Sequence, residues 1–202
     1  GDGETRRQFV AAHEGAIDAA LGYLEDNAML ARRGKGGHRF LKAPHLLAAA
    51  YRHRLSRAGD PQIHTHVLIS QLVKATEDGR WTSLYSPSLF AHAKTAGFLY
   101  QAELRDRLTR SLGLGWSEVT RGAAEVRGIE EPARAVFSRR RAEIEAAQAE
   151  LGAGTAKSFQ ATVLATRKPK PEAMSGRELE ADWTERAREI GLNQATIEQM
   201  VQ

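Results

Sequence analysis

The segment at residues 63–73, IHTHVLISQLV, constrains the fold more than any other. It alternates in polarity and is rich in β-branched residues, the pattern of a strand. The seven residues before it, SRAGDPQ (56–62), are dense in turn formers. Upstream, LLAAAYRHRLS (46–56) is compatible by composition with helix or strand. Its end is assigned to a strand, because a strand would place His53 beside the segment that follows the turn. Downstream, TEDGRW (76–81) carries an Asp-Gly turn signal, and WTSLY follows as a short return strand. These elements form an antiparallel meander rather than βαβ units.

Helical patterns flank the meander. Residues 4–29 read as an amphipathic helix, with Phe9, Val10, His13, Ile17, Ala20, Leu21 and Leu24 at helical spacing. ARRGKGGHRF (31–40), with three glycines and a cluster of basic residues, reads as a mobile loop. From Ser88 a second helix places Leu89, Phe90, Ala93, Ala96, Gly97, Tyr100, Leu104 and Leu108 on one face and ends near Gly113. A short strand is expected at 119–128, a charged helix at 130–151 with Pro132 in its first turn, and a short helix at 155–166. RKPKPEAM (167–174) reads as a linker. After it, Ser175 and Glu178 form a helix-start signal for a tail reaching residue 202. The class is α+β, with an antiparallel sheet packed with helices and a helical C-terminal part. Residues 1–166 form the main domain portion, 167–174 the linker and 175–202 the tail.

The chain has 202 residues, 42% of them hydrophobic, enough to bury one ordinary core. No apolar run approaches the roughly 20 residues needed to cross a bilayer, and residues 1–8 lack a signal-peptide core. A cytoplasmic protein without membrane contact is expected. With no cysteine, a metal site must use His, Asp or Glu. The net charge of +4 is compatible with a nucleic-acid partner without requiring one.

On a strand, residues i and i+2 share a face, so His64 and His66 present two imidazoles side by side. His53, eleven residues before His64, lies at the end of the expected neighbouring strand. Three converging neutral imidazoles would make a divalent-metal site with open positions. The same His-Thr-His could also be two polar residues on a solvated face. His13, His38, His45 and His92 lack comparable spacing and are read as surface or loop residues. Arg52, Arg54, Arg57, Lys74, Lys35 and Arg39 cluster near the histidines in sequence and are candidate phosphate contacts, or equally a solvated basic rim. Trp81 could stack on a base or pack in the core, whereas Tyr85 is assigned to the core.

The block RHRLSRAGDPQIHTHVLISQLV closely resembles the three-histidine motif of the TrwC/MobF-type conjugative relaxases, within the HUH endonuclease group. The later run LYSPSLFAHAKTAGFLYQAELRDRLTRSLGLGW resembles the helix that follows this motif in the same family. The resemblance extends over roughly residues 5–190. It implies a palm-like antiparallel sheet with helices. It also implies metal-dependent nicking of one strand of plasmid DNA at an origin of transfer, by a tyrosine that becomes joined to the 5′ end. Carried over, His53, His64 and His66 hold the divalent metal, usually taken as magnesium or manganese, with zinc as a further candidate. Single-stranded origin DNA would be the partner, with Arg52, Arg54, Arg57, Lys74, Arg39 and Trp81, read above from the residues themselves, as its candidate contacts. A helicase domain commonly follows, so the tail would lead towards one.

The sequence departs from the family pattern in one respect. The nucleophilic tyrosines and an assisting acidic residue of such relaxases precede the part that this chain matches. Tyr23, Tyr51, Tyr85 and Tyr100 do not stand at nucleophile positions. No catalytic residue is therefore assigned, and the expectation is an N-terminally truncated relaxase domain that binds metal and DNA without efficient nicking. It would be a gene remnant or a partner to a chain that supplies the nucleophile. Two other functions remain open: a metal-dependent hydrolase with Asp60 as its nearest base, and a non-catalytic DNA-binding remnant.

Overall fold

A computed structural model describes residues 2–151, 156–166, 175–193 and 195–196. The described residues divide into two compact units, one drawn from residues 2–51 and 67–127, the other from residues 52–66 and 128–196. The described strands are antiparallel and the class is α+β, as expected.

In the first unit, helix α1 (Asp2–Asn27) packs along helix α2 (Ser86–Leu112). The buried apolar residues of α1 are Ala12, Ala16 and Leu24, set at multiples of four residues, and Ala28 continues the row just past the helix end. Small side chains along an i, i+4 ridge let a partner helix approach closely. Of the stripe expected from the sequence, His13 and Leu24 are buried, whereas Phe9, Val10, Ile17, Ala20 and Leu21 are only half-buried. Leu108, Leu112 and Leu114 complete a core around Ala12. Pro87 sits in the first turn of α2, where its missing N–H costs nothing. Gly113 closes the helix at φ 68°, a left-handed conformation natural to glycine, and donates its N–H to Thr109 O at 2.9 Å. Two hydrogen bonds cross between the helices. His13 Nδ1 meets the Tyr100 hydroxyl at 2.9 Å, and His92 Nδ1 meets the Tyr23 hydroxyl at 2.8 Å. His13 is 3% exposed, so it and His92 are interhelical residues rather than surface or loop ones.

The glycine-rich segment expected as a mobile loop is instead a hairpin, β1 (Leu30–Arg33) and β2 (Arg39–Lys42), with Ala31 opposite Leu41 and Arg32 opposite Phe40. Ala31, Leu41 and Ala43 face inward onto Met29, Val73, Ala75 and Leu84. That alternation is hidden in the sequence because alanine carries little hydropathy signal. The expected strand at 63–73 divides into β4 (Pro61–Ile69), paired with β3 (Ala48–Leu55), and β5 (Leu72–Lys74), paired with β6 (Trp81–Ser83) across the Asp78-Gly79 turn. A bridge from Ala31 to Leu84 sets the first and third hairpins side by side. Arg33 reinforces it with a two-pronged contact to Asp78, at 2.8 and 3.0 Å, and a bond to Arg80 O at 2.8 Å. The strand expected at 119–128 reduces to two isolated bridges, Trp116–Val126 and Thr120–Ala123.

In the second unit the helix expected over 130–151 is broken into α3 (Glu131–Val136) and α4 (Arg139–Leu151). Unbroken, the Arg139 N–H would bond to Ala135 O. Instead Ser138 N takes that carbonyl at 3.1 Å, and the Arg139 N–H donates to the Asp60 carboxylate at 2.9 Å. Helix α5 (Ala156–Ala165) is capped from α4 by Arg140, which donates to Val163 O at 3.0 Å and Thr166 O at 2.9 Å. Helix α6 (Gly176–Glu189) begins at the Ser175–Glu178 capping box read from the sequence. The linker expected at 167–174 lies outside the described residues.

Leu108 is 2% exposed, and truncating it opens a cavity in the α1–α2 core. Leu108→Ala is expected to lower the unfolding free energy by about 3 kcal/mol, read by urea denaturation. A loss no larger than that of a surface substitution would contradict the packing described.

Candidate metal centre

The three histidines come together. His53 lies on β3, and His64 and His66 lie two apart on β4, so the pleat directs both β4 imidazoles to one face. The His53 ring is 5.4 Å from that of His64, centroid to centroid, and nearly parallel to it. The His66 ring is 5.0 Å from His53 and 5.1 Å from His64, edge-on to both. Three imidazoles bound to one ion through nitrogens at about 2.1 Å would have centroids roughly 5 Å apart. The ring spacing therefore fits a shared ion, and an all-imidazole donor set suits first-row divalent metals. As placed, the donor nitrogens do not close on a point: among the described residues no three His, Asp or Glu side chains form a finished metal group. A turn about Cβ–Cγ re-aims an imidazole nitrogen without moving the backbone.

His64 Nδ1 donates to Gln62 O at 3.2 Å. In the neutral ring that bond puts the proton on Nδ1 and leaves the Nε2 lone pair available, the way a metal-binding histidine is usually oriented. His53 and His64 are half-buried and His66 is exposed, so the cluster has a solvent-facing side.

The turn between the strands is fixed by its own residues and by helices from the C-terminal part. Ser56 N donates to Asp60 O at 2.9 Å, and Ser56 Oγ accepts from the N–H groups of Ala58 and Asp60 at 3.2 and 3.1 Å. Gly59 takes φ 78° there. The Asp60 side chain, 1% exposed, accepts from Arg139 N at 2.9 Å, Arg139 Nε at 2.8 Å and Arg186 Nη1 at 3.0 Å. Arg139 Nη2 also donates to Ala58 O at 2.7 Å, and Trp183 Nε1 donates to Gly59 O at 2.9 Å. Both Asp60 oxygens are occupied by cations or N–H groups, which leaves none to act as a base on water. An open cleft of about 610 Å³ lies beside this turn, bordered by Gln62, Phe137, Ser138 and Ile144 among others.

The cations expected around the histidines are dispersed. On β3, Arg52 and Arg54 flank His53, so the pleat turns them to the opposite face from its ring. Arg57 lies in the turn, half-buried. In the other unit, Arg39 on β2 is ion-paired with Glu77, and Lys74 on β5 stands opposite Trp81 on β6. Trp81 is 60% exposed and available for stacking, whereas Tyr85 packs on Phe40 with ring centroids 4.2 Å apart. Arg139, Trp183 and Arg186 were not foreseen from local pattern. The one signal was a lone tryptophan three residues before an arginine on an otherwise charged helix.

The tyrosines are mostly engaged. Tyr23 and Tyr100 are bonded to His92 and His13, and burial pushes the Tyr100 hydroxyl above its ordinary pKa. Tyr85 is packed and Tyr51 is exposed.

The TrwC relaxase family matches the chain over residues 1–190. The chain belongs to the TrwC relaxase family. Among its relatives, the multifunctional conjugation protein TraI of Escherichia coli is 29% identical over 201 residues, an alignment covering 93% of this chain and 11% of TraI. The conjugative relaxase TrwC in complex with OriT DNA, in a metal-free structure, is 27% identical with a TM-score of 0.84, covering 92% of this chain and 66% of that one. A metal-bound structure of the TrwC–OriT complex has the same identity, 27%, and TM-score, 0.84, and the match covers 93% of this chain and 65% of that one. The chain thus spans about a ninth of the curated relatives it matches. Membership of the TrwC family agrees with the fold class and with the resemblance carried by residues 53–66.

Asp60→Ala would leave Arg139 and Arg186 without their shared partner. The expected loss is about 3 kcal/mol of stability by chemical denaturation. A loss within about 0.5 kcal/mol, the range of surface substitutions, would contradict the anchoring role.

Proposed function

We propose that this chain forms the metal-binding part of a conjugative relaxase, which nicks one strand of plasmid DNA at an origin of transfer by transesterification. The convergence of His53, His64 and His66 carries this proposal, with rings 5.0–5.4 Å apart. Those histidines would hold a divalent ion, with magnesium, manganese and zinc as the candidates. The ion would supply a Lewis acid that polarises the scissile phosphate. His64, oriented by Gln62 O, would keep one nitrogen towards the ion. The solvent-facing side of the cluster would admit the phosphate.

Single-stranded DNA is the proposed partner, with Arg57 and Lys74 as phosphate contacts and Trp81 as a stacking platform. Arg39 is a weaker candidate because Glu77 already neutralises it. Arg52 and Arg54, on the far face of β3, would touch DNA only where it wraps away from the histidines. None of Tyr23, Tyr85 and Tyr100 is free to attack, and Tyr51 has no general base assigned to it. In this proposal the chain by itself binds metal and DNA without efficient nicking. A helicase domain as partner, the tail after 175 leading towards it and action in the cytoplasm, where plasmid DNA lies, belong to the same proposal. A three-histidine hydrolase is disfavoured because its nearest candidate base, Asp60, is buried under two arginines.

Calorimetric titration of manganese into the chain and into a His64→Ala/His66→Ala variant tests the site. Saturable binding in the former and none in the latter is expected. No binding to the unaltered chain would contradict the proposed centre. For DNA, Trp81→Ala is expected to cost about 1–3 kcal/mol of affinity for an origin-like single strand. Lys74→Ala should weaken binding and reduce the salt slope by about one ion. Unchanged affinity in both variants would remove this face from the DNA path.

A further inference from the structure

We infer that Trp183 and Arg186 of α6 are positioning residues for the histidine cluster, acting through the turn that joins its two strands; this rests on the proposal that the histidines hold a divalent ion. The two side chains stand three residues apart on one helix face. They reach consecutive residues of the turn, more than 120 positions earlier in sequence. Trp183 Nε1 donates to Gly59 O at 2.9 Å, and Arg186 Nη1 donates to Asp60 Oδ1 at 3.0 Å.

The turn matters because it is the short link between β3 and β4, and turn geometry sets hairpin register. A slip of one residue would send His64 and His66 to the opposite face from His53. Gly59 and Asp60 are therefore the point at which an outside contact can hold all three rings in place. Trp183 fixes the peptide that follows the left-handed Gly59, and Arg186 fixes the carboxylate that follows it.

Arg186 is costly for a purely stabilising residue. Its side chain is 14% exposed and lies over the Phe137 ring, with its guanidinium carbon 5.0 Å from the centroid. Its Nε and Nη2 are buried without a hydrogen-bond acceptor, although Nη2 lies 3.0 Å from Asp182 Oδ2 outside hydrogen-bond alignment. Only Nη1 is well placed, and it serves both Asp60 and Val136 O, at 3.1 Å. A buried ion pair adds little net stability over apolar packing of the same volume, although removing one partner of a formed pair is costly. What it secures is the placement of Asp60 and of the turn.

The test measures manganese affinity by calorimetry on the full 202-residue chain and on Trp183→Phe, Arg186→Met and Arg186→Lys, each checked for folding by circular dichroism. Val73→Ala, a core truncation elsewhere, serves as a control for lost stability. Trp183→Phe keeps the ring and loses only the N–H donor. Both Trp183→Phe and Arg186→Met are expected to weaken manganese binding about tenfold or more, as loss of outer-shell partners of metal ligands does. Arg186→Lys should recover most of that loss, because one nitrogen makes both bonds. Val73→Ala should bind as the unaltered chain does. Unchanged affinity in Trp183→Phe and Arg186→Met, while the unaltered chain binds, would overturn this inference and leave the proposed centre standing. An equal loss in Val73→Ala would overturn it too, since general destabilisation would then account for the effect. Absence of manganese binding to the unaltered chain would overturn the proposed centre and the inference together.

Discussion

The Asp60 carboxylate is the contact on which the site-bearing part of the molecule depends. It is almost wholly buried, ends the turn between β3 and β4, and accepts hydrogen bonds from Arg139 and Arg186. An isolated carboxylate would be expensive there; two guanidinium groups and a helix N-terminal N–H make it tenable. Asp60 thereby captures the first N–H of α4 and ends α3 early, receives α6, and holds the turn in a single shape. Three elements distant in sequence meet at one ion cluster, and the histidine hairpin inherits its rigidity from them.

Strand geometry then decides which residues can take part in the chemistry. The two-residue period gathers His53, His64 and His66 and turns Arg52 and Arg54 away. The two cations that flank His53 in sequence thus stand on the opposite face of β3 from its ring. The TrwC family match gives the cluster its context, and under the function proposed above a phosphodiester substrate would suit a Lewis acid held by three imidazoles with an open side.

The residue types at 53–66 made the hairpin and its histidines readable in the sequence, because strand alternation and turn chemistry are local signals. The capping box at Ser175 and the glycine stop at Gly113 were readable for the same reason. Three features were not. The β1–β2 hairpin escaped because its inward residues include alanines, and because glycines and arginines on the outside resemble a loop. The break between α3 and α4 escaped because local helix propensity runs through it and only Asp60, 79 residues away, competes for the Arg139 N–H. The docking of Trp183 and Arg186 escaped because no local pattern reports a contact with the 56–60 turn. Local signals place elements; long-range polar contacts decide where they stop and what they hold.

The central claim is that three imidazoles of one hairpin share a divalent ion. X-ray absorption spectroscopy at the manganese edge, on the manganese-loaded chain, tests it most directly. The expected spectrum has a first shell that includes nitrogen, with the outer-shell scattering of about three imidazole rings, and loses that signature in His64→Ala/His66→Ala. An all-oxygen shell without imidazole scattering would contradict it.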